Sequence, residues 1–199
     1  MFLRFIISIC ACLLLTSCAL LKPAPAYNPT LYTLNPIPYS SNTETRTNNT
    51  ILVLPIIADP SINDKQMAYT LKNHEIAYFA KNNWAAPPAQ MILPPLAAAL
   101  RDSNHFTAVA VVPFAGTTTY GLFTQILELR QDFTVNPSIV KITIACQIGL
   151  SSNGRIIASR QFHVEIPTAE NTPYGGVMAA NEGLAQILRE LTTFVIQNT

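Results

Sequence analysis

The sequence predicts an α/β fold in which two amphipathic helices pack on a mixed, largely antiparallel sheet. Three observations carry this. Val140, Ile142, Ile144, Cys146, Ile148 and Leu150 alternate with Lys141, Thr143, Ala145, Gln147 and Gly149, and a period of two marks a half-buried antiparallel strand. Asn153-Gly154 follows it and predicts a type I′ hairpin turn into a return strand. Two further stretches, 88–102 and the one opened by Thr172-Pro173, repeat apolar residues at helical spacing, so each offers one face to a sheet. The chain has 199 residues, 49% hydrophobic and 12% charged. That suits one domain with a core of its own and excludes disorder throughout. Lys and Arg total 12 against 11 Asp and Glu, so there is no basic surplus to neutralise phosphates and no nucleic-acid partner is expected.

Taken in order, the chain opens with Met1-Phe2-Leu3-Arg4 and then an apolar run from Phe5 to Leu15. Eleven helical residues span about 16 Å, half of a bilayer core, so the run reads as a signal-peptide hydrophobic region rather than a membrane span. Leu15-Thr16-Ser17-Cys18 follows directly and resembles the lipobox of bacterial lipoprotein precursors, with an aliphatic residue, two small residues and the thiol that takes a diacylglyceryl group. The expectation is a signal peptide over 1–17 and acylation at Cys18. An ordinary cleaved signal peptide and an uncleaved anchor are the competing readings. Cys10 and Cys12 would leave with the signal, so the mature chain would keep Cys18 and Cys146 and form no internal disulfide. Two or three acyl chains on one residue make attachment permanent, whereas one binds marginally. The residue after Cys18 is Ala19, not Asp, which in lipoproteins of this kind implies the outer membrane, facing the periplasm.

Residues 18–30 read as a tether. Pro23, Pro25 and Pro29 bias it to polyproline II, with a reach of about 35 Å at roughly 3.1 Å per residue. Residues 31–199 form one domain. Leu31–Leu34 is a short strand, and the polar stretch Ser40–Thr50 a loop. Ile51–Ile57 is nearly all apolar and predicts a strand buried on both faces. Gln66–Leu71 and Glu75–Phe79 flank Lys72-Asn73 as a hairpin. Pro88 opens a helix to about Asp102, with Ile92, Leu96 and Leu100 on one side. Pro94 and Pro95 are expected to interrupt it, since an internal proline costs about 3 kcal/mol. Asn104 suits its C-cap, Phe106–Val112 is a strand, and Leu122–Phe133 joins the long strand through Asn136-Pro137. The return strand should bury Ile156, Ala158, Phe162, Val164 and Ile166. In the last helix Ala180, Leu184, Ile187, Leu188, Leu191 and Val195 share a face.

Chemistry-bearing patterns are scarce. Cys146 lies in the apolar phase of its strand and reads as a packed core thiol. His74, His105 and His163 lack ligand spacing and read as surface or loop histidines, so no metal or cofactor is expected beyond the lipid on Cys18. Neither a nucleophile elbow nor a phosphate loop occurs. The single Trp84 reads as a staple at the corner before Pro87-Pro88, or alternatively as an anchor for a partner. Tyr78 and Phe79, with Tyr69, face the core or form an edge that pairs with another subunit.

The order of these features resembles the ABC-type transport auxiliary lipoproteins, which include the lipoprotein of the paraquat-inducible Pqi system. The features are the lipobox, Tyr32-Thr33-Leu34, the strand ending at Pro55, Tyr78-Phe79 running into Trp84-Ala85-Ala86-Pro87, the helix ending at Ser103-Asn104-His105-Phe106, the meander and the Ala-rich last helix. Ser61-Ile62-Asn63-Asp64-Lys65 departs from the aromatic-Leu-Asp-Arg-like stretch of relatives. The resemblance implies an α/β fold with a mixed sheet and no catalytic residues. It implies a non-enzymatic component of lipid transport between membranes, working beside an MCE-type substrate-binding protein and an inner-membrane ABC transporter or Pqi-like membrane protein. Two other classes remain open at this point: an assembly factor for outer-membrane components such as lipopolysaccharide transport, and a periplasmic hydrolase. Open edges on the hairpin and meander would allow a homo-oligomer.

Overall fold

The computed structural model describes residues 28–36 and 46–199. The signal segment 1–17, Cys18, most of the tether, and residues 37–45, which include the first half of the polar stretch, lie outside the described residues. Within them the order is β1 (Thr30–Tyr32), β2 (Thr50–Val53), β3 (Ile57–Ala58), β4 (Gln66–Thr70), β5 (Ala77–Trp84), α1 (Pro88–Asp102), β6 (Ala108–Val111), β7 (Tyr120–Asp132), β8 (Ile139–Leu150), β9 (Ile156–Pro167) and α2 (Pro173–Gln197). The strands form one mixed sheet.

The 13 residues of β7 organise it. Along one edge β7 takes three short parallel partners in turn: β2 at Ile51↔Tyr120, β3 at Ile57↔Gln125 and β4 at Tyr69↔Gln131. Along the other it pairs antiparallel with β8 over its whole length, and β8 pairs likewise with β9. Outside β4 lie β5 and then β1; outside β2 lies β6. The long ladders are antiparallel and the short ones mostly parallel, so the expected mixed, largely antiparallel sheet is what forms. Both helices contribute to a single core with the sheet, in which Ile51, Leu96, Leu122, Ile126, Ile144, Leu184 and Ile187 are fully buried.

Four local expectations are corrected. The run from Ile51 to Ile57 is two strands, because Pro55 has no N–H to continue a ladder. Nor is it buried on both faces: Ile51 and Val53 are sealed, whereas Ile57 is 65% exposed. Secondly, α1 runs unbroken through Pro94 and Pro95. Pro94 and Gln90, whose carbonyl loses its i+4 donor to Pro94, are both exposed, so water can satisfy that carbonyl. The stripe Ile92, Leu96, Leu100 holds the two halves in line against the core. Thirdly, β8 and β9 are joined by a four-residue turn, not a two-residue type I′ turn. Gly154 N–H donates to Leu150 O (2.8 Å) and Leu150 N–H to Arg155 O (2.9 Å). Gly154 is left-handed (φ 71°) but Asn153 is not, and type I′ needs both. Fourthly, a bulge in the β8–β9 ladder between Ile148 and Gly149 shifts the register and leaves Ile156 46% exposed.

Capping follows the sequence closely. Thr172 opens α2 by accepting from Gly175 N–H at 3.0 Å. Asn104, at φ 56°, takes the left-handed position after α1.

Candidate functional site

The N-terminal strand β1 and the residues after it lie beside α2, and the two enclose a groove of about 1000 Å³. Its floor and walls are Leu31, Tyr32, Tyr174, Val177 and Met178. Leu31, Tyr174 and Met178 are each more than half exposed, and the Tyr32 and Tyr174 rings stand 6.1 Å apart. Asn181 fixes the two walls together. Its Oδ1 accepts from Asn35 N–H (2.6 Å), and its Nδ2 donates to Thr33 O (3.2 Å) and Val177 O (2.9 Å). The groove therefore opens at the point where the tether joins the domain. Sequence reading missed it; the signal was Tyr174 and Met178, two apolar side chains on the solvent side of an otherwise regular amphipathic helix.

The aromatic residues singled out in the sequence are placed as follows. Trp84 ends β5, is only 4% exposed, and donates its backbone N–H to Lys65 O at 2.7 Å. Phe79 is half-buried and stacks on Tyr69, centroids 4.5 Å apart, with Phe133 edge-on to both. Tyr78, also half-buried, donates its hydroxyl to Ser61 O at 2.9 Å. β5 lies between β1 and β4, but β1 covers only Asn82–Trp84, so the outer side of β5 from Ala77 to Lys81, where Tyr78 and Phe79 sit, has no strand partner among the described residues.

A polar ladder crosses β7, β8 and β9 on the sheet's other face. Thr143 Oγ1 lies 3.1 Å from Glu128 Oε2 and 2.8 Å from His163 Nδ1. Lys141 Nζ bridges Asp132 (2.9 Å) and Glu165 (3.7 Å). Burial pushes the Asp132 carboxyl up, but the Thr134 hydroxyl, the Lys141 ammonium and the Thr134 N–H outweigh it and hold the pKa at about 2. Partnership with Asp132 in turn raises Lys141. The charges are paired with one another, Glu128 with Arg130 at 2.9 Å, and Glu128, Arg130 and Thr143 line a recess of about 400 Å³ with Ser61 and Gln161. Among the described residues no group of three or more His, Cys, Asp or Glu could hold a metal ion. His105 is a loop histidine, between α1 and β6, but a buried one at 5% exposure, and it stacks edge-on against Phe106. Cys146 is buried at 1% exposure, and desolvation pushes its thiol up to about 11, so it stays protonated at neutral pH. No helix among the described residues is long and apolar enough to cross a membrane.

Comparison with known proteins bears on the whole of this architecture. The family model described as "ABC-type transport auxiliary lipoprotein component" matches residues 32–192, from β1 into α2. A Xanthomonas campestris protein, XCC0632 of family DUF330, superimposes with a TM-score of 0.78 at 20% identity, covering 85% of this chain and 96% of that one. The hypothetical protein CT253 of Chlamydia trachomatis gives a TM-score of 0.51 at 11% identity, covering 76% of this chain and 98% of that one. At these identities the two structures share the fold. No curated protein matches the chain.

Proposed function

The chain belongs to the family of ABC-type transport auxiliary lipoprotein components, and from that premise we propose that it is a non-enzymatic, lipid-anchored subunit of an ABC/MCE-type system moving lipid between the membranes of a Gram-negative cell. The family match carries this reading, because it spans the elements from β1 into α2 rather than one motif. Cys18 carries the acyl chains, residues 1–17 are the signal peptide, and 18–30 give reach from the outer membrane into the periplasm. The partners are an MCE-type substrate-binding protein and an inner-membrane ABC transporter or Pqi-like protein. Of the aromatic residues, Tyr78 and Phe79 retain surface and are the proposed contacts; Trp84 supports them from within the core. Anchoring raises the local concentration of the domain, so a weak protein contact suffices. Self-association through an open sheet edge belongs to the same reading.

The test is made in cells. Cys18→Ser should leave the precursor unprocessed, abolish acyl-chain labelling and move the protein out of the outer-membrane fraction. Crosslinking of the unaltered chain, followed by identification of the attached proteins, should return an MCE-type protein. Processing and fractionation unchanged by Cys18→Ser would overturn the anchoring, and recovery of a β-barrel assembly partner instead would overturn the transport assignment.

A further inference from the structure

Among the described residues several strands keep an open edge, and those of β9, β1 and β6 differ in protection. β9 carries Arg155 beside its start and Arg160, His163 and Glu165 along it, and its ladder is bulged. β1 is three residues long, follows Pro29, and is closed off just beyond its end by Asn181 of α2. Short length, charges and bulges are the devices that keep an edge from pairing. β6 is short as well, at four residues, but it carries no charge and no bulge. It reads Ala108-Val109-Ala110-Val111, among the described residues it pairs only with β2, and the 22 residues from Phe106 to Leu127 hold no charged side chain.

Its free groups can be placed. Thr107 N–H donates to Asn49 O on the β2 side at 2.9 Å. By the alternation of a strand, the N–H and C=O of Ala108 and Ala110 point away from β2, into the open edge. Ala108 is exposed, and Val109, Ala110 and Val111 are only half-buried. Beyond the strand, Val112 and Phe114 are 47% and 43% exposed. Val109 and Val111 pair with Ile51 and Val53 on the core side, Ala108 and Ala110 with Thr50 and Leu52 on the other.

We propose that β6 is a self-association edge, in which β6 of a second copy of this chain pairs antiparallel with it across a two-fold axis normal to the sheet. The occupant is argued from complementarity. A two-fold normal to the sheet keeps the two cores on the same side and sets Ala108 opposite the partner's Ala110, with Val109 on the axis. That register satisfies all four outward backbone groups of Ala108 and Ala110 in each copy. On the core side it puts Val109 against Val109 and Val111 against Thr107, and on the other side alanine against alanine. An uncharged edge gives no reward to a charged partner strand, and this chain supplies a matching uncharged one. β1, where the tether joins, lies on the same side of β7 as β6 but toward the other end of that strand: β2 and β6 pair at its start, while β4, β5 and β1 lie toward its end. This deepens the reading above by naming the self-association surface, and it can fail while that reading stands.

The experiment uses the full-length chain in cell membranes. Val109→Cys places a thiol on the axis, where antiparallel non-bonded pairs stand about 4.5 Å apart at Cα, within reach of a disulfide. Mild oxidation should convert most of it to a species of twice the mass, and Gln161→Cys on β9 should give none. Adding Ala110→Lys to Val109→Cys should cut the crosslink at least about tenfold, by burying a charge in the edge pairing. Thermal unfolding of the Ala110→Lys protein, with the midpoint little changed, shows that the loss is not misfolding. A Val109→Cys protein that stays monomeric, a crosslink that survives Ala110→Lys, or a crosslink to a different protein would overturn the proposal. If the MCE-type partner is still recovered alongside a monomeric Val109→Cys protein, only the dimer edge is lost.

Discussion

At the scale of single residues, the ladder on the open sheet face shows how charge is used for stability without chemistry. Asp132 is nearly sealed and would resist ionisation, yet the Thr134 hydroxyl at 2.6 Å and the Lys141 ammonium at 2.9 Å make the carboxylate the favoured form. Its folded pKa of about 2 lies below the unfolded value of about 3.9, so its stabilisation is present above that value and is lost as pH falls toward 2. The shift corresponds to about 2 kcal/mol. Urea unfolding at pH 5 and at pH 2 should show a fall that includes this amount. In Asp132→Asn the pH-dependent part should shrink by about the same amount, while stability at pH 7 drops because Lys141 loses its closest partner. An unchanged acid limb in the variant would mean that other carboxylates set it.

At the scale of elements, α2 lies on β8 and β9 with Gly183 at the crossing. A Cβ added there would stand 2.9 Å from Ile166 Cγ1 and 3.1 Å from both Ile142 Cδ1 and Val164 Cγ2. Gly183→Val should therefore push the helix off the sheet and cost about 1–3 kcal/mol in urea unfolding, despite the better helix propensity of valine over glycine. A variant as stable as the parent would mean that the helix shifts freely. These elements also show what was legible in sequence. The strand period at Val140–Leu150, the Thr172 cap and the Pro88 start are local signals, and each reappears as written. What failed was context. Whether Pro94 breaks a helix depends on whether Gln90 faces water, and whether Ile156 is buried depends on a bulge two residues away. The same holds for the surfaces. The groove is assembled from Leu31 and Met178, 147 positions apart, and the edge character of β6 exists only once the strand order is known. The uncharged run from Phe106 to Leu127 was visible all along; nothing local says that it borders an open edge.

At the scale of the whole molecule, the middle of the sheet carries the stability and the proposed association uses one of its edges. β7 has both edges occupied along most of its length, and its inward residues Leu122, Ile126 and Leu129 are 4% exposed or less. β1 is held by three register pairs to β5 and by Asn181. An applied pull through the tether would reach β1 first, and the long β7–β8–β9 meander last. Hydrogen exchange should report this order. Amides of Leu122, Ile126 and Ile144 should open only with global unfolding, whereas Leu31 should exchange through local fraying at least about a hundredfold faster. The β6 amides separate two states. In a monomer those of Ala108 and Ala110 face solvent and exchange quickly; in a paired edge they slow with rising protein concentration, while Leu31 does not change. Uniform protection across β1, β6 and β7 at every concentration would mean that the sheet opens as one unit and that no edge is set aside for pairing.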